Sequence, residues 1–126
     1  MDLVLLNDKL AICRLKVGVG LPEWASSAGG FSSITRTADE LSIVCDASAV
    51  PPGVQSEAGW RAFKIAGPLD FALTGILASI AVPLAEAGLS IFAISTYDTD
   101  YILVKEIGVD KAARVLQAAG HRVEGR

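Results

Sequence analysis

The chain has 126 residues, with 11 basic and 14 acidic side chains and a net charge of −3. Its hydrophobic share of 52% and mean hydropathy of +0.47 are too apolar for a disordered chain. The lack of any Lys/Arg block excludes a basic nucleic-acid footprint.

The length fits one ordinary domain or two very small ones sharing a core. Extended, alternating apolar signals cover residues 3–6 and 10–17, around a turn at Asn7-Asp8. Pro22 opens a short helix over 21–28, which Gly29-Gly30 ends. Residues 31–37 and 40–46 read as two strands joined near Ala38-Asp39. Pro51-Pro52-Gly53 stops that pattern, and 54–59 reads as a linker or helical turn. A strand over 61–66 runs into Gly67-Pro68. A helix over 73–87 follows, with Asp70 as a candidate N-cap. A buried strand over 89–96, a polar turn at 97–100 and a strand over 101–105 come next. A helix over 109–119 presents Val109, Ala112, Ala113 and Leu116 on one face and is closed by Gly120, and Val123 marks a last strand.

Residues 71–94 carry one charge, Glu86, and are long enough to span a bilayer. The apolar stripe of Leu73, Ile76, Leu77, Ile80, Leu84 and Ala87, closed by Gly88, instead predicts a helix followed by a short strand, and no membrane segment. From residue 60 onward the order is β-α-β-β-α-β, the ferredoxin-like split βαβ unit: an α+β fold with an antiparallel sheet and both helices on one face. The first half reads as a degenerate copy. At an offset of 61, Pro22 falls on Pro83, Phe31 on Phe92, Thr35 on Thr96 and Asp39 on Asp100. Two tandem repeats are therefore expected, 1–59 and 60–126.

The chemistry of catalysis is largely missing. His121, the one histidine, lies beside a helix C-cap, and Gly18-Val-Gly20 is half a dinucleotide fingerprint. No nucleophile elbow, zincin or phosphate-loop motif is present. An acylphosphatase-like loop would need a suitably placed Asn, and the only Asn is Asn7. Cys13 and Cys45 sit in apolar strands and read as reduced, buried thiols of a cytoplasmic protein rather than a disulfide. No enzyme, cofactor or metal site is expected.

Two polar loci remain. At the strand-to-helix junction, Asp70, Thr74 and Gly75 mark a helix start whose free N–H groups suit a carboxylate. At the later turn, Ser95, Thr96, Tyr97, Asp98 and Asp100 offer hydroxyls and two acids without a basic side chain, which suits an amino-bearing or cationic ligand. The expectation is that these loci combine only between two domains.

The stretch 60–106, with Gly67-Pro68-Leu69-Asp70-Phe71, Gly75-Ile76-Leu77-Ala78 and the run from Ile94 to Val104, resembles ACT domains of the CASTOR type, and residues 31–44 resemble the first repeat of small bacterial members. The resemblance implies a tandem ACT protein akin to the regulatory modules of aspartate kinases. Such a protein is a non-catalytic sensor that binds an amino acid at an ACT–ACT interface. By motif position it implies ligand contacts at Gly75, Thr96, Tyr97 and Asp100. It also places Leu73 where arginine sensors carry an acid, which speaks against arginine itself. A homodimer is expected, because a two-repeat sheet ends in edge strands that need cover. The alternative is a protein–protein interaction module that has lost ligand binding.

Overall fold

A computed structural model describes residues 1–26, 30–70 and 74–125. Eight strands and two α-helices follow in chain order: β1 (Asp2–Leu5), β2 (Leu10–Leu15), β3 (Ser33–Arg36), β4 (Leu41–Asp46), β5 (Gln55–Ile65), α1 (Ile76–Glu86), β6 (Ile91–Ser95), β7 (Asp100–Lys105), α2 (Val109–Ala118) and β8 (Arg122–Glu124). The chain forms two compact units, Asp8–Trp60 on one side and Met1–Asn7 with the stretch from Arg61 onward on the other. The boundary expected at residue 59 thus shifts by one residue, and the first seven residues change sides. The cause is β1, which pairs Leu3 with Ile65 in β5 and again with Val123 in β8.

In the unit Asp8–Trp60, β4 lies between β3 and β2, and the first half of β5 continues that sheet beyond β2. Its core is Ala11, Cys13, Ala25, Leu41, Ile43 and Cys45. Cys13 stands opposite Ile43 and Cys45 opposite Ala11, so the two thiols are diagonal neighbours on the same buried face. Both are free thiols. Burial, reinforced by Cys45, pushes the Cys13 thiol up from 9.0 to about 11. Only a 3-10 turn, Glu23–Ala25, stands in the region expected to be helical, and residues 27–29 of that expectation lie outside the described residues. The segment 54–59 is not a linker but the start of the eleven-residue β5. Its Gln-Ser-Glu run is exposed and has no apolar alternation to announce a strand.

In the other unit the strand order is β6-β7-β5-β1-β8. The elements from β5 to β8 follow the expected βαββαβ order, with β1 added. The sheet is mixed rather than purely antiparallel, because β1 and β8 run parallel. Leu3, Phe63, Ile65, Ile102 and Val104 form one buried face. Against it pack Ile80 and Leu84 of α1 and Val109, Ala112 and Leu116 of α2, so both helices cover the same side. β6 is half-exposed rather than buried, because it is the edge strand. Among the described residues no helix is long and apolar enough to cross a membrane; within the run 71–94, α1 ends at Glu86 and β6 begins at Ile91.

Both helices stop by the same device. Gly88 and Gly120 have φ of +79° and +97°. The N–H of Leu89 reaches the carbonyl of Leu84, and that of His121 the carbonyl of Leu116, each at 3.0 Å. This is the six-to-one closure that glycine permits after a helix. The closure of α2 places His121 beside α1, which has a defect: Pro83 stands inside the helix and cannot donate to the carbonyl of Ser79. The Nε2 of His121 lies 2.9 Å from that carbonyl, so the imidazole supplies the donor that proline removed.

Two outcomes follow. His121→Ala lowers stability by roughly 0.5–1 kcal/mol, and the loss shrinks toward zero in a Pro83→Ala background, where a backbone N–H is restored; equal losses in both backgrounds would disprove the link. A thiol whose pKa is raised on folding contributes stability that is complete below its unfolded value and is lost as pH rises through the folded one. Melting temperature should therefore decline between pH 9.0 and about 11, and Cys13→Ala should flatten that decline.

Candidate functional site

The turn between β6 and β7 is built by threonines. Thr96 accepts the N–H of Thr99 on its hydroxyl and returns two bonds to the Thr99 carbonyl, from its own N–H at 2.8 Å and its hydroxyl at 3.0 Å. The Thr99 hydroxyl, 4% exposed, donates to the carbonyl of Ile65 at 2.7 Å. The N–H of Leu69 donates to the carbonyl of Asp98 at 2.7 Å. At Gly67 a Cβ would come within 3.2 Å of the Asp98 oxygen, the Leu69 nitrogen and the Thr99 side chain. Only glycine lets the segment leaving β5 lie this close to the turn.

These bonds bring both polar loci together inside one unit, not between two domains. They line a cavity of about 330 Å³. Asp70 and Gly75 come from the junction, and Ser95, Thr96, Tyr97, Asp98 and Asp100 from the turn and its flanks. Thr74 is exposed and does not line it. Leu69, Ile76, Leu77 and Thr99 complete the wall. Leu69, Ile76 and Leu77 read as core in the sequence, and Thr99 lies inside the polar turn already singled out.

The electrostatics are one-sided. Three carboxylates, Asp70, Asp98 and Asp100, line the cavity and no lysine or arginine does. Asp100 opens β7 rather than lying in the turn, is half-buried, and accepts the Ser95 hydroxyl. Among the described residues of the wall, the positive feature is the amino end of α1. Gly75, not Asp70, is its N-cap, in a left-handed conformation with φ +76°, and its carbonyl receives the N–H of Ser79 at 2.9 Å. The N–H groups of Ile76 and Leu77 therefore stand in the first turn, at the positive end of the helix dipole. The helix begins three residues later than its apolar stripe suggested; Phe71 and Leu73, named in the sequence pattern, lie outside the described residues.

The turn between β3 and β4 repeats the pattern. Thr37 accepts the N–H groups of Asp39 and Glu40 on its hydroxyl and bonds the carbonyl of Glu40. Matching Thr37 to Thr96 and Glu40 to Thr99 gives an offset of 59, two fewer than the residue pattern indicated. At that offset Leu41–Asp46 falls on Asp100–Lys105, which is β4 on β7 from end to end.

A model of the ACT domain matches residues 55–118, and a model of an N-terminal domain matches 8–53. The human cytosolic arginine sensor for mTORC1 subunit 1 is 43% identical over 108 residues, spanning 75% of this chain and 33% of the sensor. The bovine protein of the same name is 42% identical over the same shares. The chain thus spans about a third of the length of these curated relatives. A crystal structure from Agobacterium tumefaciens is 43% identical, with a TM-score of 0.93, over 99% of this chain and 92% of that one. The regulatory subunit of aspartate kinase from Thermus thermophilus shares the fold at 11% identity, with a TM-score of 0.62, over 90% of this chain and 93% of that one.

Gly75→Ala tests the geometry of the helix start. A Cβ there would meet nothing within 4 Å, so the glycine serves neither helix packing nor a crowded contact. The cost comes from the positive φ alone, about 1–2 kcal/mol. A melting temperature equal to wild type would show that the left-handed N-cap is not the reason for glycine.

Proposed function

Because the chain belongs to the ACT domain family, we propose that it is a non-catalytic regulatory module that binds a free amino acid in the cavity between the start of α1 and the turn 96–99. One observation carries the reading: the first two residues of α1 and three aspartates line one space of amino-acid size. The ligand's α-carboxylate would sit on the N–H groups of Ile76 and Leu77, and its ammonium on Asp98 or Asp100. A wall lined by aspartates and by no lysine or arginine favours a side chain carrying a second cation. Relatives named as arginine sensors support the same class. The shared threonine turn at offset 59 supports reading residues 8–60 as a degenerate ACT repeat. A homodimer in a cytoplasmic setting accords with the cytosolic relatives and with the apolar composition.

Calorimetric titration with arginine, lysine, ornithine and the neutral amino acids tests it. Basic amino acids should bind best, and the decarboxylated amine of whichever binds (agmatine, cadaverine or putrescine) at least tenfold more weakly. Asp100→Ala should cost roughly 1.5–3 kcal/mol of affinity. If none of the twenty amino acids binds or raises the melting temperature, the cavity is not an amino-acid site, and the reading of an interaction module without ligand takes its place.

A further inference from the structure

The unit Asp8–Trp60 repeats the turn beside the cavity and rebuilds it around two arginines. At the offset of 59, Arg36 and Leu41 fall on Ser95 and Asp100. Each is a directly opposed pair, Arg36 with Leu41 across β3 and β4, Ser95 with Asp100 across β6 and β7. The acid of one pair is thus leucine in the other, and the serine bonded to it is arginine. Arg36 donates from Nη1 to the carbonyl of Val19 at 3.0 Å. Val19 stands four residues beyond the end of β2, as Leu69 stands four beyond the end of β5. Gly18 has φ +84°, and the N–H of Val19 turns back onto the carbonyl of Lys16 at 3.3 Å, so Val19 meets the turn with its carbonyl. At the turn itself Glu40 stands in the place of Thr99 and has no hydroxyl to donate. Arg14, on β2, donates instead from Nη2 to the carbonyl of Asp39 at 3.2 Å. The matching carbonyl, of Asp98, takes the N–H of Leu69.

Resting on the reading of the cavity and of residues 8–60 as its repeat, we propose that Arg36 is a ligand built into the chain. Its guanidinium takes in the first unit the place that the cation of a free amino acid takes beside Ser95 and Asp100. With Arg14 it holds the first unit closed with no ligand added, and the chain takes one amino acid, in the cavity of the second unit. The residue exchanges agree. Gly20 follows Val19 where Asp70 follows Leu69, and Leu41 replaces Asp100. Two of the three aspartates of the cavity wall are therefore missing from the copy, and an arginine is added. A site that carries its own cation needs no acids to attract one, and a neutral carbonyl suffices as its acceptor. A guanidinium on a long stem offers five donors in a rigid plane and spans a gap that serine cannot. Gly18-Val19-Gly20, which lacks the third glycine of a dinucleotide loop, thereby has a role: it presents the acceptor for Arg36.

The test reads solvent exchange of the Thr37, Asp39 and Glu40 amides by NMR on the whole chain, without added amino acid. Arg36→Ser, which installs the residue of the matching position, should speed that exchange roughly two- to fivefold, the weight of one exposed charged bond. Arg36→Gln, which keeps most of the stem and loses the cation, should do the same. Millimolar methylguanidinium should restore protection in both variants, and methylammonium should not. Exchange unchanged in both variants, or protection restored by both cations or by neither, would overturn the proposal. Titrating the wild type with arginine separates this from the reading of the cavity. Amide shifts confined to 95–100 and the start of α1, at a single arginine per chain, would support both. Shifts at Val19 and 37–40 would overturn the proposal and leave the cavity reading standing. No shifts anywhere, with methylguanidinium rescue intact, would remove the cavity reading and leave Arg36 as the clamp of the first unit. Thr37→Ala should release its turn as Thr96→Ala releases the other; unequal responses would show that the repeat itself fails, and the proposal with it.

Discussion

A single buried hydroxyl holds the site in place. Thr99 donates to the carbonyl of Ile65, at the end of the strand that passes through the middle of the sheet. A threonine buried this far would cost free energy if its hydroxyl were unpaired. The bond to Ile65 meets that requirement and fixes the turn 96–99 on the core. The Leu69 N–H on the Asp98 carbonyl and the close approach at Gly67 then align the segment leaving β5 with the turn. Asp70, Asp98, Asp100 and the start of α1 face one space because these contacts leave the backbone little freedom.

What the sequence disclosed follows from the range of the interactions. α2 was legible almost to the residue, since Val109, Ala112 and Leu116 recur at helical spacing and Gly120 closes the helix. So were β4 and β7, whose apolar runs are buried on both faces at Ile43–Cys45 and Ile102–Val104. Three features were not legible. The first half of β5 is exposed, so its extended form comes from pairing with β2, a contact made about forty residues away in sequence. β1 reads as a partner for β2 across Asn7-Asp8, yet it pairs with β5 and β8, and its four residues carry no mark of that choice. The start of α1 was placed too early because the apolar spacing in the sequence continues ahead of Gly75, whereas the glycine marks the cap only through a positive φ.

The candidate site was legible by type and not by assembly. Hydroxyls and acids clustered at 95–100 stand out in a chain with few polar runs, and seven of the eight residues singled out line the cavity. That the two loci meet within one unit depends on Thr99 and Gly67, whose identities look ordinary until the distances are known. The repeat shows the same limit. Residue matching gave an offset of 61, whereas the hydrogen bonds of Thr37 and Thr96 give 59. Identity between two diverged hairpins drifts with chance matches, and the turn's bonding pattern does not.

α1 carries the consequence of its own composition. Pro83 leaves the Ser79 carbonyl without a helical donor, and His121 replaces it from the end of α2. The helix is therefore tied to its neighbour by a side chain rather than by charge pairs on its surface. That leaves its outward face free of ions, which a solvated helix of this length would otherwise carry for solubility. A face of this kind gains by being covered, and its amino end gains from any carboxylate set against it.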